Sequence, residues 1–313
     1  MILQDKTVRL ILAKSDTGAG KKGAEMGPDA LVKSLSALGV QFDDVQTLEA
    51  LQVEEDPNMT WCKHIETVSS NANRLSAAVK DSIHAGKTTI VFSGDHSNAV
   101  GGVTGFRLAN PNARIGVIWI DAHADLHSPY TTPSGNMHGM PLAALTGLDN
   151  ISQAKHELSA KEIAAWNGLK VIGNYPMAKI EAKDIVFIAI RDAEPEEWHL
   201  IDEHKITCFE PDYIREHGIY NVLNKSLEHL SHCDTIYVSF DVDSMDPSMA
   251  NGTGTPVDNG LKRVEAEAVL KTLIHHPKTG MLEITEINPS LDTSAQKMAG
   301  LTAEILAYAF KNA

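Results

Sequence analysis

The sequence predicts an α/β fold, a mostly parallel sheet covered by helices on both faces. Two observations carry this. Apolar strand-like runs alternate with helix-period segments from one end of the chain to the other, the pattern of successive strand–helix units. Three of those runs also stop at aspartate and histidine: Gly94-Asp95-His96, Asp121-Ala122-His123-Ala124-Asp125 and Asp241-Val242-Asp243. An open parallel sheet gathers its ligands at such strand ends. The chain has 313 residues with no internal repeat and no Pro/Gly/Ser linker, so residues 1–313 read as a single domain.

The elements follow in order. Residues 8–13 form a short strand, and the first helix opens at Gly27-Pro28. Proline suits a first helical turn, and Leu31, Leu35 and Leu38 then recur on one face. The polar segment 54–58 is a loop. A second helix carries Val68, Leu75, Val79 and Ile83 on its inner stripe. Strands at 88–92, 115–120 and 235–240 each precede one of the three motifs, and further strands fall at 184–190 and 281–287. Gly101-Gly102-Val103-Thr104-Gly105 lacks the spacing of a phosphate cradle; it lets a helix pack closely behind His96. The less periodic stretch 147–183 is a helical excursion on the surface, and a helix over 302–310 closes the chain.

A formal charge of −14 with no offsetting basic stripe argues against nucleic-acid and membrane-surface partners. Four aspartates at one metal site contribute about −4 of it, which two divalent cations would offset. Cys62, Cys208 and Cys233 are widely spaced, so neither a disulfide framework nor a zinc knuckle is expected. No apolar stretch approaches the roughly 18 residues of a membrane helix, and Met1 does not open a secretory leader. A cytoplasmic protein is expected.

Asp121, His123 and Asp125 stand at positions i, i+2 and i+4, which share a face on an extended chain. Asp241 and Asp243 repeat the device, and His96 adds a third direction. Four carboxylates and two imidazoles suffice for two divalent ions. Such a set, free of thiolate, suits manganese better than zinc, with cobalt, iron or nickel as substitutes. A single D-x-D or D-x-H is as well explained by capping of the next turn; three together, each behind an apolar run, are not. Nearby, Ser134-Gly135-Asn136-Met137-His138-Gly139 offers His138 as a proton shuttle toward a leaving amine. Glu286, close to another strand end, can pair bidentately with a planar guanidinium. Taken singly, each is as readily a solvated or capping residue.

These residues resemble the ureohydrolases, the family of arginases and agmatinases, and the bacterial arginases in particular. The matching segments are Gly23-Ala24-Glu25-Met26-Gly27-Pro28, Ser93 to Ser97, Asp121 to Asp125, Ser134 to Gly139, Ser239 to Pro247, Gly254-Thr255-Pro256 and Glu286 to Pro289. The resemblance implies a three-layer α/β/α domain with a sheet of about eight strands, a homo-trimer or homo-hexamer, and two Mn2+ ions. It implies that His96, Asp121, Asp125 and Asp241 hold one ion and Asp121, His123, Asp241 and Asp243 the other. A metal-bridging hydroxide would attack the guanidinium carbon of L-arginine, giving urea and L-ornithine. Asp125 would orient that hydroxide, His138 would transfer the proton and Glu286 would hold the guanidinium.

The resemblance also places substrate contacts at His127, Thr132, Ser134, Asn136, Glu194 and Thr255. Thr132, Ser134 and Asn136 match what arginases present to the α-carboxylate. Two positions depart, with His127 where asparagine is usual and Glu194 where aspartate usually meets the α-amino group. Both keep polar function, so a modest loss of arginine affinity is expected, and Glu194→Asp should then lower KM. The rest of the acidic run, Glu196 and Glu197, reads as a solvated turn. His275-His276 reads as a surface turn, and Cys62 with His64 as no site at all. The alternatives are a ureohydrolase for agmatine or guanidinobutyrate, and a catalytically silent relative that binds metal or arginine. Loss of a ligand would mark the latter, and none is lost.

Overall fold

Eight strands among the described residues, 7–294 and 297–311 of a computed structural model, form one sheet. They are β1 (Val8–Lys14), β2 (Asp44–Glu49), β3 (Thr88–Ser93), β4 (Ile115–Ile120), β5 (Ile185–Ile188), β6 (Thr207–Phe209), β7 (Thr235–Asp241) and β8 (Thr279–Thr285). Their order is β2-β1-β3-β8-β7-β4-β5-β6. Every neighbouring pair is parallel, where the sequence predicts a mostly parallel sheet. Met1, on which the reading against a leader rests, lies outside the described residues. No helix among the described residues is long and apolar enough to cross a membrane.

Ten α-helices among the described residues flank the sheet: α1 (Gly27–Ala37), α2 (Ile65–His84), α3 (Ala99–Ala109), α4 (Pro141–Thr146), α5 (Ala160–Lys170), α6 (Pro195–His204), α7 (Pro211–His217), α8 (Ile219–His229), α9 (Arg263–Ile274) and α10 (Met298–Phe310). Alternate strand residues point to opposite faces, which divides the core in two. Phe92, Ile118, Ile120 and Phe240 pack with α1 and α8 to α10. Val91, Val117, Trp119 and Tyr237 pack with α2, α3, α4 and α6. The three layers follow. Central strands such as β3 and β4 are buried at every position, as parallel strands covered on both sides must be.

The glycines of α3 do what the sequence suggests. A Cβ on Gly101 would lie 2.6 Å from the Ala72 carbonyl oxygen, and one on Gly105 2.5 Å from that of Ser76. Glycine therefore sets the α2–α3 approach, and α3 follows directly from the single 3-10 turn His96–Asn98. Backbone contact far from the site thus fixes where His96 stands.

Several expectations are corrected. Leu38 follows the last residue of α1 and is exposed, not on the inner face. Residues 147–183 are the helical surface excursion expected, mostly exposed from 151 to 178, but anchored by Trp166, Leu169 and Ile172, which are buried with Val68 and Ala72 of α2. α10 starts at Met298, a turn before position 302. β5 stops at Ile188 and β8 at Thr285, both short of the predicted ends, so Glu286 stands just beyond its strand.

Candidate metal centre

Five adjacent strands, β3-β8-β7-β4-β5, bring their carboxyl ends to one cleft. His96 follows β3, Glu286 follows β8, Asp241 ends β7, and Asp121 follows β4. All the site residues predicted from sequence line this one cavity, joined by Asp192 and Glu197. The i, i+2, i+4 argument itself fails, because 121–125 is a turn rather than an extended segment. Asp121 Oδ1 accepts the His123 N–H at 2.7 Å, and Asp125 has φ +52°. Glu286 has φ +66°. Two non-glycine residues in the left-handed region at one site mark backbone held against its preference by the surrounding fold.

Around His96 Nδ1 stand three carboxylate oxygens, from Asp121 at 3.0 Å, Asp125 at 3.1 Å and Asp241 at 3.2 Å. His123 Nδ1 lies 3.1 Å from Asp243 and 3.4 Å from Asp121. Two groups result, His96 with Asp121 and Asp241, and His123 with Asp121 and Asp243; Asp121 belongs to both. His96 Nδ1 and Asp121 Oδ2 are buried without a hydrogen-bond partner. Converging lone pairs about 3 Å apart are the donor set of a cation bound at about 2.1–2.2 Å. The residues therefore fit a pair of divalent ions. Asp95, by contrast, is no ligand; it takes the N–H groups of Gly18, Ala19 and Ser97 and braces the turn.

A second layer orients the ligands. The other nitrogen of His96, Nε2, lies 2.7 Å from Ser239 Oγ, and the ring stacks on Trp119 with centroids 4.0 Å apart. Beneath them Glu283 accepts from Tyr237 at 2.5 Å and Ser93 at 2.8 Å. His123 Nε2 faces Asp192 at 3.7 Å. Partners of this kind turn an imidazole lone pair toward a metal. Arg191 donates to the carbonyls of Asp243, Val257 and Asp258, tying the second ligand strand to the loop after Thr255. None of Ser239, Glu283, Asp192 and Arg191 was singled out from sequence; only their closeness in space reveals them.

Without metal, protons take up the charge. Burial and the Asp121 charge push Asp125 up to about 6, and burial with Asp243 and Asp121 raises Asp241 well above the usual carboxylate range. Burial alone would lower His96, but the carboxylates of Asp121, Asp125 and Asp241 facing its Nδ1 raise it well above 6.5. Metal binding must therefore expel protons, so affinity is expected to fall as pH drops through neutrality, and more steeply below about 6, where Asp125 takes up its own. Calorimetric titration in buffers of different ionisation enthalpy checks this: a buffer-dependent heat is expected at pH 7, and identical heats in all buffers would contradict it.

At the other end of the cleft, the two departures noted in sequence touch. His127 Nε2 lies 2.9 Å from Glu194 Oε2 and 3.4 Å from Glu197 Oε2, while Nδ1 meets Thr131 Oγ1 at 3.1 Å. Both ring nitrogens are thus engaged within the protein. The solvated-turn reading of the acidic run is overturned: Glu196 and Glu197 are buried in the first turn of α6. Glu197 accepts from Leu126 N–H at 3.0 Å, and burial pushes it up to about 8. The Glu194 carboxyl, bonded to His127, is held down at about 2. Thr255 Oγ1 donates to Asp243 at 3.2 Å.

Beside His96, Glu286 Oε1 accepts the His96 N–H at 2.9 Å and lies 3.1 Å from His138 Nδ1. Burial pulls His138 down, but the Glu286 bond and the charges of Glu286, Asp95 and Asp125 raise it to about 9. The imidazole is therefore a proton donor at neutral pH in the metal-free site.

A family model described as the arginase family matches residues 6–311. An arginase of Emericella nidulans is 34% identical over 88% of this chain and 84% of its own length. That of Bacillus subtilis is 32% identical over 92% of each. Among solved structures, the Bacillus subtilis arginase superposes with a TM-score of 0.79 at 31% identity, covering 97% of this chain and 98% of its own. An Entamoeba histolytica arginase, solved in complex with L-ornithine, gives 0.84 at 27% identity, with 98% and 99% covered. With its parallel eight-stranded sheet and the clustered aspartates and histidines at its strand ends, the chain belongs to the arginase family.

Proposed function

We propose that this protein hydrolyses L-arginine to urea and L-ornithine at a binuclear manganese centre. The observation that carries the proposal is the pair of His/Asp groups sharing Asp121, set in one cavity with Glu286, His138 and the loop 132–136. His96, Asp121, Asp125 and Asp241 would hold one ion, and Asp121, His123 and Asp243, with Asp241 as a second bridge, the other. Bound there, two divalent ions supply water of lowered pKa and neutralise the carboxylates. Manganese is favoured by the oxygen-rich donor set, with cobalt, iron or nickel as substitutes.

The chain's own groups do the rest. Glu286, whose Oε1 is held by His96 and His138, keeps Oε2 beside Gly254 for the guanidinium. Asp125 would accept a hydrogen bond from the attacking water's O–H and so orient it. His138 delivers its proton to the departing amine, which must be protonated to leave. At the head group, Thr132, Ser134 and Asn136 offer neutral donors to the α-carboxylate, and Glu194 with His127 faces the α-ammonium. A trimeric or hexameric assembly in the cytoplasm belongs to the same reading and is checked by light scattering and fractionation.

The contact between His127 and Glu194 replaces the simple expectation that shortening Glu194 improves the fit. Glu194→Asp pulls its carboxylate away from His127, and His127→Asn leaves Glu194 without its partner. Each single change is expected to raise KM for arginine about threefold to tenfold. The double variant should return toward the parent, a coupling of the size seen for contacting residues. Strictly additive effects on KM would show the two act separately.

The experiment for the substrate offers L-arginine, agmatine and guanidinobutyrate to the manganese-loaded protein and follows urea. Arginine turnover alone is expected. Preferential release from agmatine would mean that His127 and Glu194 have changed the substrate, and no urea from any would favour a silent relative.

A further inference from the structure

Behind the loop 130–136, outside the cavity, Trp61 and His156 stack face to face with ring centroids 3.4 Å apart and 7° between planes. No guanidinium contact or proton transfer uses them. His156 Nε2 meets the Thr132 carbonyl oxygen at 2.7 Å. A carbonyl only accepts, so Nε2 carries the proton and donates. The N–H groups of Lys155 and His156 both donate to the Tyr130 carbonyl, at 2.8 and 3.2 Å.

From the opposite side, the Lys63 N–H donates to the Gly135 carbonyl at 2.9 Å. Gly135 has φ +76°, and a Cβ there would sit 2.2 Å from the Thr60 carbonyl oxygen and 3.2 Å from Trp61 Cα. Trp61 is itself anchored, its N–H donating at 3.0 Å to Glu162, the residue that closes the capping box of α5. The loop has no regular structure, so these contacts form a clamp on it. Inside the clamp, Thr132 Oγ1 accepts the N–H groups of Ser134 and Gly135 at 3.3 and 3.0 Å. Ser134 Oγ accepts that of Asn136 at 3.1 Å. A tilt of the backbone at Thr132 would therefore move three side chains together.

We infer that Trp61 and His156 are positioning residues for substrate specificity: the hydrogen bond from His156 to the Thr132 carbonyl, with the ring held in place by its stack on Trp61, sets the pitch of the loop that reads the carboxylate head group. The inference rests on the assignment of that loop under the proposed function. It separates substrates by head group alone, because the guanidinium end is held by other strands. Losing the clamp should weaken ground-state binding of an α-carboxylate and leave the chemical step intact.

The test uses the full-length, manganese-loaded protein with Trp61→Ala, His156→Ala and the conservative His156→Gln, which keeps a donor. In the alanine variants KM for L-arginine is expected to rise about tenfold, the scale of one hydrogen bond, with kcat within about twofold. His156→Gln should stay within about threefold of the parent on the same scale. Any kcat/KM measurable on agmatine, which has no α-carboxylate, should be unchanged. Amide hydrogen exchange over 131–136 should accelerate in the alanine variants and not elsewhere in the site. Unchanged KM, a fall in kcat instead, or equal losses on arginine and agmatine would overturn the inference. If the alanine variants do not fold, His156→Phe keeps an aromatic ring for the stack and removes the donor, and the same rise in KM is expected of it. If the parent itself releases no urea from arginine, the functional reading falls separately. The exchange data then decide the clamp, with unchanged loop protection counting against it.

Discussion

Asp121→Asn is expected to abolish metal-dependent activity, with kcat/KM for arginine falling about a thousandfold or more. Asp121 alone belongs to both His/Asp groups, so under the proposed reading its loss would remove an anionic ligand from each ion at once. Without metal, burial would raise its carboxyl, but the facing His123 and His96 rings outweigh it and hold the carboxyl low. It is therefore the charge least replaceable by a proton. An amide keeps the shape but supplies neither the charge nor two equivalent acceptors. Manganese analysis per chain and thermal unfolding with and without manganese check this. The parent's Tm should rise on loading, since a ligand bound only by the native state stabilises it, and the variant's should not. A variant that retains two ions and its activity would show that Asp121 does not bridge.

Glu286→Gln comes next in size. The carboxylate joins the His96 backbone to the His138 ring and offers its second oxygen toward the substrate. Glutamine removes the charge that would pair with the guanidinium and that raises His138. A fall of about 10²–10⁴ in kcat/KM is expected, the range for loss of an electrostatic and proton-transfer partner. Manganese content should stay at the parent's level, because Glu286 is in neither His/Asp group. The basic limb of the pH profile should move to lower pH, since His138 loses the interaction that holds it up. If activity stays within tenfold of the parent, Glu286 is not the guanidinium anchor.

Much of this site was legible before any coordinates, for a physical reason. Residues at the ends of buried parallel strands are few, and Asp or His there stands out against apolar neighbours. His96, Asp121 and Asp241 could be read in that way, as could the central strands β3, β4 and β7, which are buried at nearly every position. The edge strands could not. β2 alternates half-buried and exposed residues, and β6 has three residues, too little pattern to separate from loop. Glu197 was misread because an acidic run is usually solvated. Here it opens α6 with its side chain folded into the cleft, as a first helical turn allows.

The supporting layer was hidden for another reason. Glu283, Ser239 and Tyr237 come from two neighbouring strands and meet only through sheet register, which has no signature in local sequence. The coupling of His127 to Glu194 is likewise invisible across 67 positions. The family resemblance puts both residues opposite the substrate, while the structure turns them first toward each other.

The central claim, that two ions at this cleft hydrolyse arginine, is tested most directly by titrating manganese into the metal-stripped protein while following urea release from L-arginine. No urea is expected without metal, and release should rise and level off at about two manganese ions per chain, the capacity of the two donor sets. Saturation with one ion, or full loading with two and no urea, would contradict it.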